Sequence, residues 1–174
     1  FVPSNKLVYV PNPLLSGPAS TGRKRDGSTV LTVGRLIGHK AQDVLIRAFA
    51  RVSEQLPDWR LVIVGEGESK SDLKQLAADL GLEAKIEFAG LTSEPDRFFK
   101  EAEVFVLPSR FEGTPNALLE AMNNALPVIV SNASPGPLEV VDDGVNGLVF
   151  ETDDVAVLGE MIARLGGDVE LRDR

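Results

Sequence analysis

The sequence has no cysteine, a single histidine, one tryptophan and one tyrosine. Without cysteine there is no disulfide scaffold, no thiolate metal site and no thiol nucleophile. One histidine leaves little scope for a hydrolytic triad, and no GxSxG elbow is present to carry one. A GxxxxGK[ST] phosphate loop is missing too, which argues against NTP hydrolysis of that type. No Asp-x-Asp pair and no His/carboxylate cluster occurs, so no metal is expected. No apolar run approaches the roughly 20 residues of a membrane span, and no signal peptide opens the chain. Basic residues are also in deficit. Lys plus Arg number 18 against 26 Asp plus Glu, a formal net charge of −8. That balance excludes a general nucleic-acid binder, which needs cations to neutralise phosphates.

What is present fits a globular protein. The chain has 174 residues, 43% hydrophobic and 25% charged. A domain of this length buries roughly 70% of its unfolded surface and needs no covalent staple. A cytoplasmic location fits the absence of cysteine. The chain begins at Phe1 rather than Met and stops just after a helical pattern, at LGGDVELRDR. A piece of a longer protein is the expectation.

Residues 1–28 read as irregular: a short apolar run, Leu7 to Val10, then Pro11-Asn12-Pro13 and a Ser-, Gly- and Pro-rich stretch. From Thr29 onward, short apolar runs alternate with amphipathic segments. Strands are predicted over 29–34, 60–65, 85–90, 103–109, 127–131 and 147–150. Helices are predicted over about 42–55, 71–80, 96–101, 115–124 and 154–165, with a short helical turn at 138–141. This alternation predicts right-handed βαβ units and a parallel sheet covered on both faces. The fold class is α/β, a Rossmann-like doubly wound parallel sheet of about six strands. Ligands of such sheets sit beyond the carboxyl ends of the strands.

The residues just after each strand are therefore the candidates. After the first comes GRLIGHK, with Arg35 and Lys40. Two cations there suit a diphosphate, or else pair with the surplus carboxylates. Gly34 allows a turn and a close ligand approach. His39, alone on a loop, carries little weight as a base. After the second strand comes GEGESK. Gly65 and Gly67 mimic the start of a dinucleotide fingerprint, but Lys70 takes its third glycine position; the segment reads as a loop near a ligand or as a turn.

The richest segment follows the fourth strand, PSRFEGTPNALLEAM. Thr114 is a good N-cap, and Pro115 suits the first helical position. The free amides of this helix start face the ligand edge and can bind an anion. Gly113 keeps the approach clear. Glu120 lies in a helical turn otherwise apolar, where a carboxylate must be paired, exposed at an edge or bonded to a ligand. From Pro115 to Glu120 the helix advances about 7.5 Å. Glu112 and Glu120 could thus reach opposite ends of one elongated ligand, or be a loop charge and an exposed stripe residue. SPGPLEVVDDGVNG, which follows the fifth strand, reads as a tight loop, a short helix with Glu139, and a turn.

Together these segments resemble the C-terminal, donor-binding domain of retaining glycosyltransferases of family 4, one lobe of the GT-B fold. The resemblance covers about residues 29–165. GRLIGHK is similar to the family's Gly-Arg-Leu…Lys element, which implies that Arg35 and Lys40 hold the donor diphosphate. FEGTPNALLEAM resembles the Glu-x7-Glu signature. That implies Glu112 beside the donor sugar and Glu120 on the nucleotide ribose. VYVPNPL resembles the segment joining the two lobes, so residues 1–28 are expected to be an interlobe segment and linker, and 29–174 the nucleotide-sugar domain. Two positions depart from the pattern: Ala41 and Ala125 stand where the family commonly has glycine.

The resemblance implies transfer of a hexosyl unit from a nucleoside diphosphate sugar to an acceptor hydroxyl, without metal or other cofactor. Glu112, Arg35 and Lys40 would be catalytic. Gly34, Gly65, Gly113, Thr114, Pro115, Asn116 and Glu120 would bind the donor. The GPLE loop leans towards a UDP-sugar. An acceptor glycan, lipid or small molecule would sit on a separate N-terminal lobe, and this fragment alone would turn over little. A longer protein has room for peripheral association with the inner face of a membrane. Rival readings are a nucleotide-sugar epimerase of similar architecture, a glycoside hydrolase using Glu112 and Glu120, and a non-catalytic sugar-nucleotide module.

Overall fold

The structure, a computed structural model, describes residues 27–113 and 115–173. The expected interlobe segment therefore lies outside the described residues, apart from Gly27 and Ser28, and so does Thr114.

Six strands form one parallel sheet: β1 (Thr29–Val33), β2 (Arg60–Val64), β3 (Ile86–Gly90), β4 (Val104–Leu107), β5 (Val128–Ser131) and β6 (Leu148–Phe150). Their order is β3-β2-β1-β4-β5-β6. All six predicted strands are present and every pairing is parallel. The helices are α1 (Gln42–Val52), α2 (Lys70–Asp79), α3 (Asp96–Glu101), α4 (Asn116–Asn123), α5 (Pro135–Leu138), α6 (Val155–Gly167) and α7 (Val169–Arg172).

The strand side chains alternate between two cores, as a pleat with period two requires. Val30, Leu61, Ile63, Val104, Val106 and Ile129 pack under α1, α2 and α6. Leu31, Val62, Val64, Phe105, Leu107 and Val130 pack under α3 and α4. Both faces are apolar, so the strands read as continuous hydrophobic runs rather than alternating ones. The order runs outward from β1 in one direction and from β4 in the other. Between β1 and β4 the winding reverses, the place at which sheets of this class bind their ligands.

Three local predictions need correction. Pro115 is the N-cap of α4 and not its first helical residue. Its ψ of 92° is extended, and its carbonyl accepts from Leu118 and Leu119. The turn predicted at 138–141 starts earlier, as α5 at Pro135. Ser134 is extended, and Pro135 and Pro137 fall in a first turn, where a missing N–H costs nothing. A seventh helix, α7, was not anticipated. Arg172 folds it back by donating to the Leu165 and Gly166 carbonyls, capping the open end of α6.

Ala41 and Ala125, the two departures from the glycine pattern, both lie in the left-handed region at φ 53°. A Cβ costs roughly 1–2 kcal/mol there, partly offset because glycine is freer when unfolded. Ala125 is exposed, so Ala125→Gly is expected to raise stability by about 0.5–1 kcal/mol in urea denaturation. Ala41 is 1% exposed, and Ala41→Gly should gain less because a buried methyl is lost. A loss of stability in Ala125→Gly would contradict this account of the turn.

Candidate functional site

Four loops meet beyond the carboxyl ends of the strands. The loops after β1 and β2 extend the sheet's pairing: Gly34 N–H donates to the Val64 carbonyl, Leu36 N–H to Glu66 and Ser69 N–H to Leu36, each at 2.9 Å. Gly65 is obligatory here. Its φ is +142°, and a Cβ would stand 1.9 Å from the Gly34 oxygen. The loops after β4 and β5 approach as closely. A Cβ on Gly136 would lie 1.6 Å from the Gly113 oxygen. Backbone-to-backbone contact at both places fixes the loops without side chains between them.

Beyond the carboxyl ends of β1 and β4 stands an ion pair. Lys40 ends a 3-10 turn, Gly38–Lys40, and its Nζ donates to Glu112 Oε1 at 2.6 Å. Their side chains are only 20% and 9% exposed. Ser109 Oγ donates to the same carboxylate oxygen at 2.7 Å. The Glu112 backbone N–H donates to Ser134 Oγ at 2.9 Å, and Ser131 Oγ donates to the Ser109 carbonyl at 2.5 Å. The carboxylate thus has a cation and a hydroxyl on one oxygen, and its backbone is anchored to the loop after β5. A charge-assisted bond in a partly dry cleft is stronger than a neutral one in water.

The structure therefore joins two of the three residues expected to be catalytic, Lys40 and Glu112. Arg35 is exposed, and its side chain has no partner among the described residues. Its backbone carbonyl accepts from Gln42 Nε2 at 3.1 Å, which steadies the entry to α1. Gly34 has no left-handed φ, and a Cβ there would meet only Lys40 Cδ at 4.0 Å. A Cβ on Gly113 would touch nothing within 4 Å. The fold itself does not demand glycine at 34 or 113. Pro115 is buried and Asn116 is exposed at the start of α4.

Glu120 is half-buried on α4, and its side chain has no partner among the described residues. Burial raises its carboxyl above the ordinary range, and the charge of Asp96 on α3 raises it further. Among the described residues no group of three or more His, Asp or Glu is placed to hold a metal ion. Nor is any helix long and apolar enough to cross a membrane.

Sequence reasoning missed Ser109, Ser134 and above all Arg110. The Arg110 guanidinium grips Asp43 with two nitrogens, at 3.2 and 3.0 Å, and donates to Asp153 Oδ1 at 2.7 Å and to the Gly38 carbonyl at 2.6 Å. Asp43 is the main cause of the upward shift of its already high pKa. The sole sequence signal was an arginine beside the Glu112 motif. Its partners lie on other loops.

Residues 18–174 match the protein family described as glycosyl transferases, group 1. The chain belongs to that family. This group 1 domain is 33% identical over 174 residues to the lipopolysaccharide core biosynthesis glycosyltransferase LpsE of Rhizobium meliloti, covering 100% of the chain and 48% of that protein. It is 34% identical over 150 residues to the Escherichia coli UDP-Gal:α-D-GlcNAc-diphosphoundecaprenol α-1,3-galactosyltransferase, covering 84% of the chain and 38% of that protein. Among solved structures, Anabaena HepE in complex with UDP superposes with a TM-score of 0.78 at 25% identity, over 84% of this chain and 41% of that one. The α/β sheet expected for one lobe of a GT-B glycosyltransferase is thus the sheet found. The chain spans about half the length or less of these relatives.

The raised Glu120 pKa has a consequence for the group 1 domain. The folded state holds this proton more tightly than the unfolded state does. The ionised form is therefore disfavoured on folding, and stability falls as pH rises from the ordinary carboxylate value through the raised one. Glu120→Gln is expected to stabilise the ligand-free chain at pH 7 and to have little effect near pH 4. Urea denaturation at both pH values checks this, and a less stable variant at pH 7 would contradict it.

Proposed function

We propose that this domain is the donor-binding, C-terminal lobe of a retaining, family 4 glycosyltransferase. It would move a hexosyl unit from a nucleoside diphosphate sugar, UDP-activated by preference, to an acceptor hydroxyl. The observation that carries this reading is the Lys40–Glu112 pair at the winding reversal between β1 and β4. That is where a doubly wound sheet offers its ligand crevice. A cation and a carboxylate there match the two halves of the donor, an anionic diphosphate and a sugar whose anomeric carbon becomes cationic. The UDP-Gal named for the E. coli relative and the UDP bound to HepE support the donor class.

In this reaction the bond between the anomeric carbon and the β-phosphate oxygen breaks, and its electron pair leaves on the diphosphate. The acceptor oxygen forms the new bond, and its proton passes to the departing diphosphate oxygen. Lys40, Arg35 and the first turn of α4 stabilise the leaving diphosphate without a metal. Removing one such donor typically costs about 10²–10³ in rate. Glu112 orients the sugar and steadies its positive charge. Glu120, half-buried and without a side-chain partner among the described residues, accepts from the ribose hydroxyls. Open space at Gly34 and Gly113 lets the phosphates approach the backbone. The acceptor, a glycan, lipid or small molecule, binds a separate N-terminal lobe of a longer protein in the cytoplasm.

Calorimetric titration of the 174-residue chain with UDP tests the assignment. Lys40→Met and Arg35→Ala are each expected to weaken binding by about tenfold or more, the loss of one charge-assisted bond. Unchanged affinity would remove that residue from the site. Glu120→Ala should weaken UDP and leave pyrophosphate unaffected, and equal losses for both ligands would sink the ribose role.

A further inference from the structure

Lys40 rides on a turn that has little to hold it. Gly38–Lys40 is a single 3-10 turn that buries none of its residues. Its own backbone supplies Lys40 N–H to Ile37 at 2.9 Å and a long contact from Ala41 N–H to Gly38 at 3.4 Å. Ala41, which closes it, sits in the left-handed region without glycine's freedom. Within the turn itself there is one good backbone bond, and apolar burial begins only at its closing residue, Ala41.

Arg110 supplies what is missing. Its backbone N–H donates to the His39 carbonyl at 2.7 Å, and its Nη1 to the Gly38 carbonyl at 2.6 Å. Both carbonyls of the turn that precede Lys40 are thereby held from the loop after β4. The guanidinium is itself oriented by Asp43 in the first turn of α1 and by Asp153 in the turn after β6. Asp153 has a φ of +66°, a left-handed turn conformation that aspartate tolerates. Glu112, the acceptor for Lys40, lies two residues beyond Arg110 on the same loop. Arg110 thus ties the turn that carries the ammonium to the loop that carries the carboxylate, through its main chain at His39 and its side chain at Gly38.

We propose that Arg110 is a positioning residue: by clamping the Gly38–Lys40 turn to the loop after β4, it places the Lys40 ammonium for the donor diphosphate. This rests on the donor-site reading above for its ligand, but the placement of Lys40 can be read without any ligand. The planar fork is essential, because it bridges a carboxylate, a second carboxylate and a carbonyl at once; no other side chain has that geometry.

Two measurements on the 174-residue chain decide it, with circular dichroism confirming the fold of each variant. The first is acylation of Lys40 by an amine-reactive ester, read by mass spectrometry against the exposed Lys100. In Arg110→Gln, release of the turn should speed the Lys40 reaction by about threefold or more. The second is a double-mutant cycle on UDP affinity. Arg110→Gln should weaken UDP by about tenfold in the native background and by less than about twofold with Lys40→Met, since its effect runs through Lys40. Equal weakening in both backgrounds, or no weakening in either, would overturn the proposal, as would unchanged Lys40 reactivity. If the native chain binds no UDP, the donor-site reading fails, and the acylation rates still decide whether Arg110 positions Lys40.

Discussion

Lys40 and Glu112 come from loops on different strands, 72 residues apart in sequence, and meet beyond the carboxyl ends of the two strands where the winding reverses. Two partly buried charges of opposite sign suit one another. Each offsets the other's desolvation, and the Ser109 hydroxyl adds a further bond to the carboxylate. Much of the local architecture serves this meeting. Gly65 lets the β2 loop lie against the β1 loop, and Gly136 lets the β5 loop lie against the β4 loop. Ser134 fixes the Glu112 backbone, and Arg110 fixes the turn before Lys40. Taking away one partner would leave a partly buried charge without its counter-ion, so the pair is a constraint as well as a contact.

The pair also addresses a problem of sign. The chain carries a net charge of −8, and the proposed donor is an anion. The protein's long-range field opposes binding, so attraction must come from fixed groups at short range. In the ligand-free domain the Lys40 ammonium is engaged by Glu112, and a diphosphate must share or displace that bond. Arg35, exposed and without a side-chain partner among the described residues, has no such prior claim on its charge. In the proposed site the division of labour is therefore unequal: Arg35 would be available to a ligand, while Lys40 would couple the ligand to Glu112.

The sheet was legible because its strands are buried on both faces. TVLTV, RLVIV and VFVL are continuous apolar runs that only a covered parallel strand explains. That Glu112 and Lys40 each lie past a strand end followed from the rule that ligand residues sit there, but their pairing did not. The strain at Ala41 and Ala125 was visible as alanine where the resembling family has glycine. Boundaries near proline were less legible. Pro115 is compatible in φ with both a cap and a first helical residue, and only ψ separates them. The Arg110 clamp was invisible for a different reason. Its partners Asp43 and Asp153 are distant in sequence, and which loops lie within reach of one guanidinium depends on the folded arrangement of the loops. Likewise, nothing in GRLIGHK distinguishes a lysine held by a carboxylate from an arginine left in solvent.

The central claim is that the site beyond the carboxyl ends of β1 and β4, with Lys40 and Glu112, receives the diphosphate of a nucleotide sugar. A crystal structure of the chain grown with UDP tests it most directly. The account predicts the diphosphate within hydrogen-bonding distance of Lys40 Nζ, at the start of α4, with the ribose hydroxyls directed to Glu120. UDP bound elsewhere, with the Lys40–Glu112 pair untouched, would contradict it.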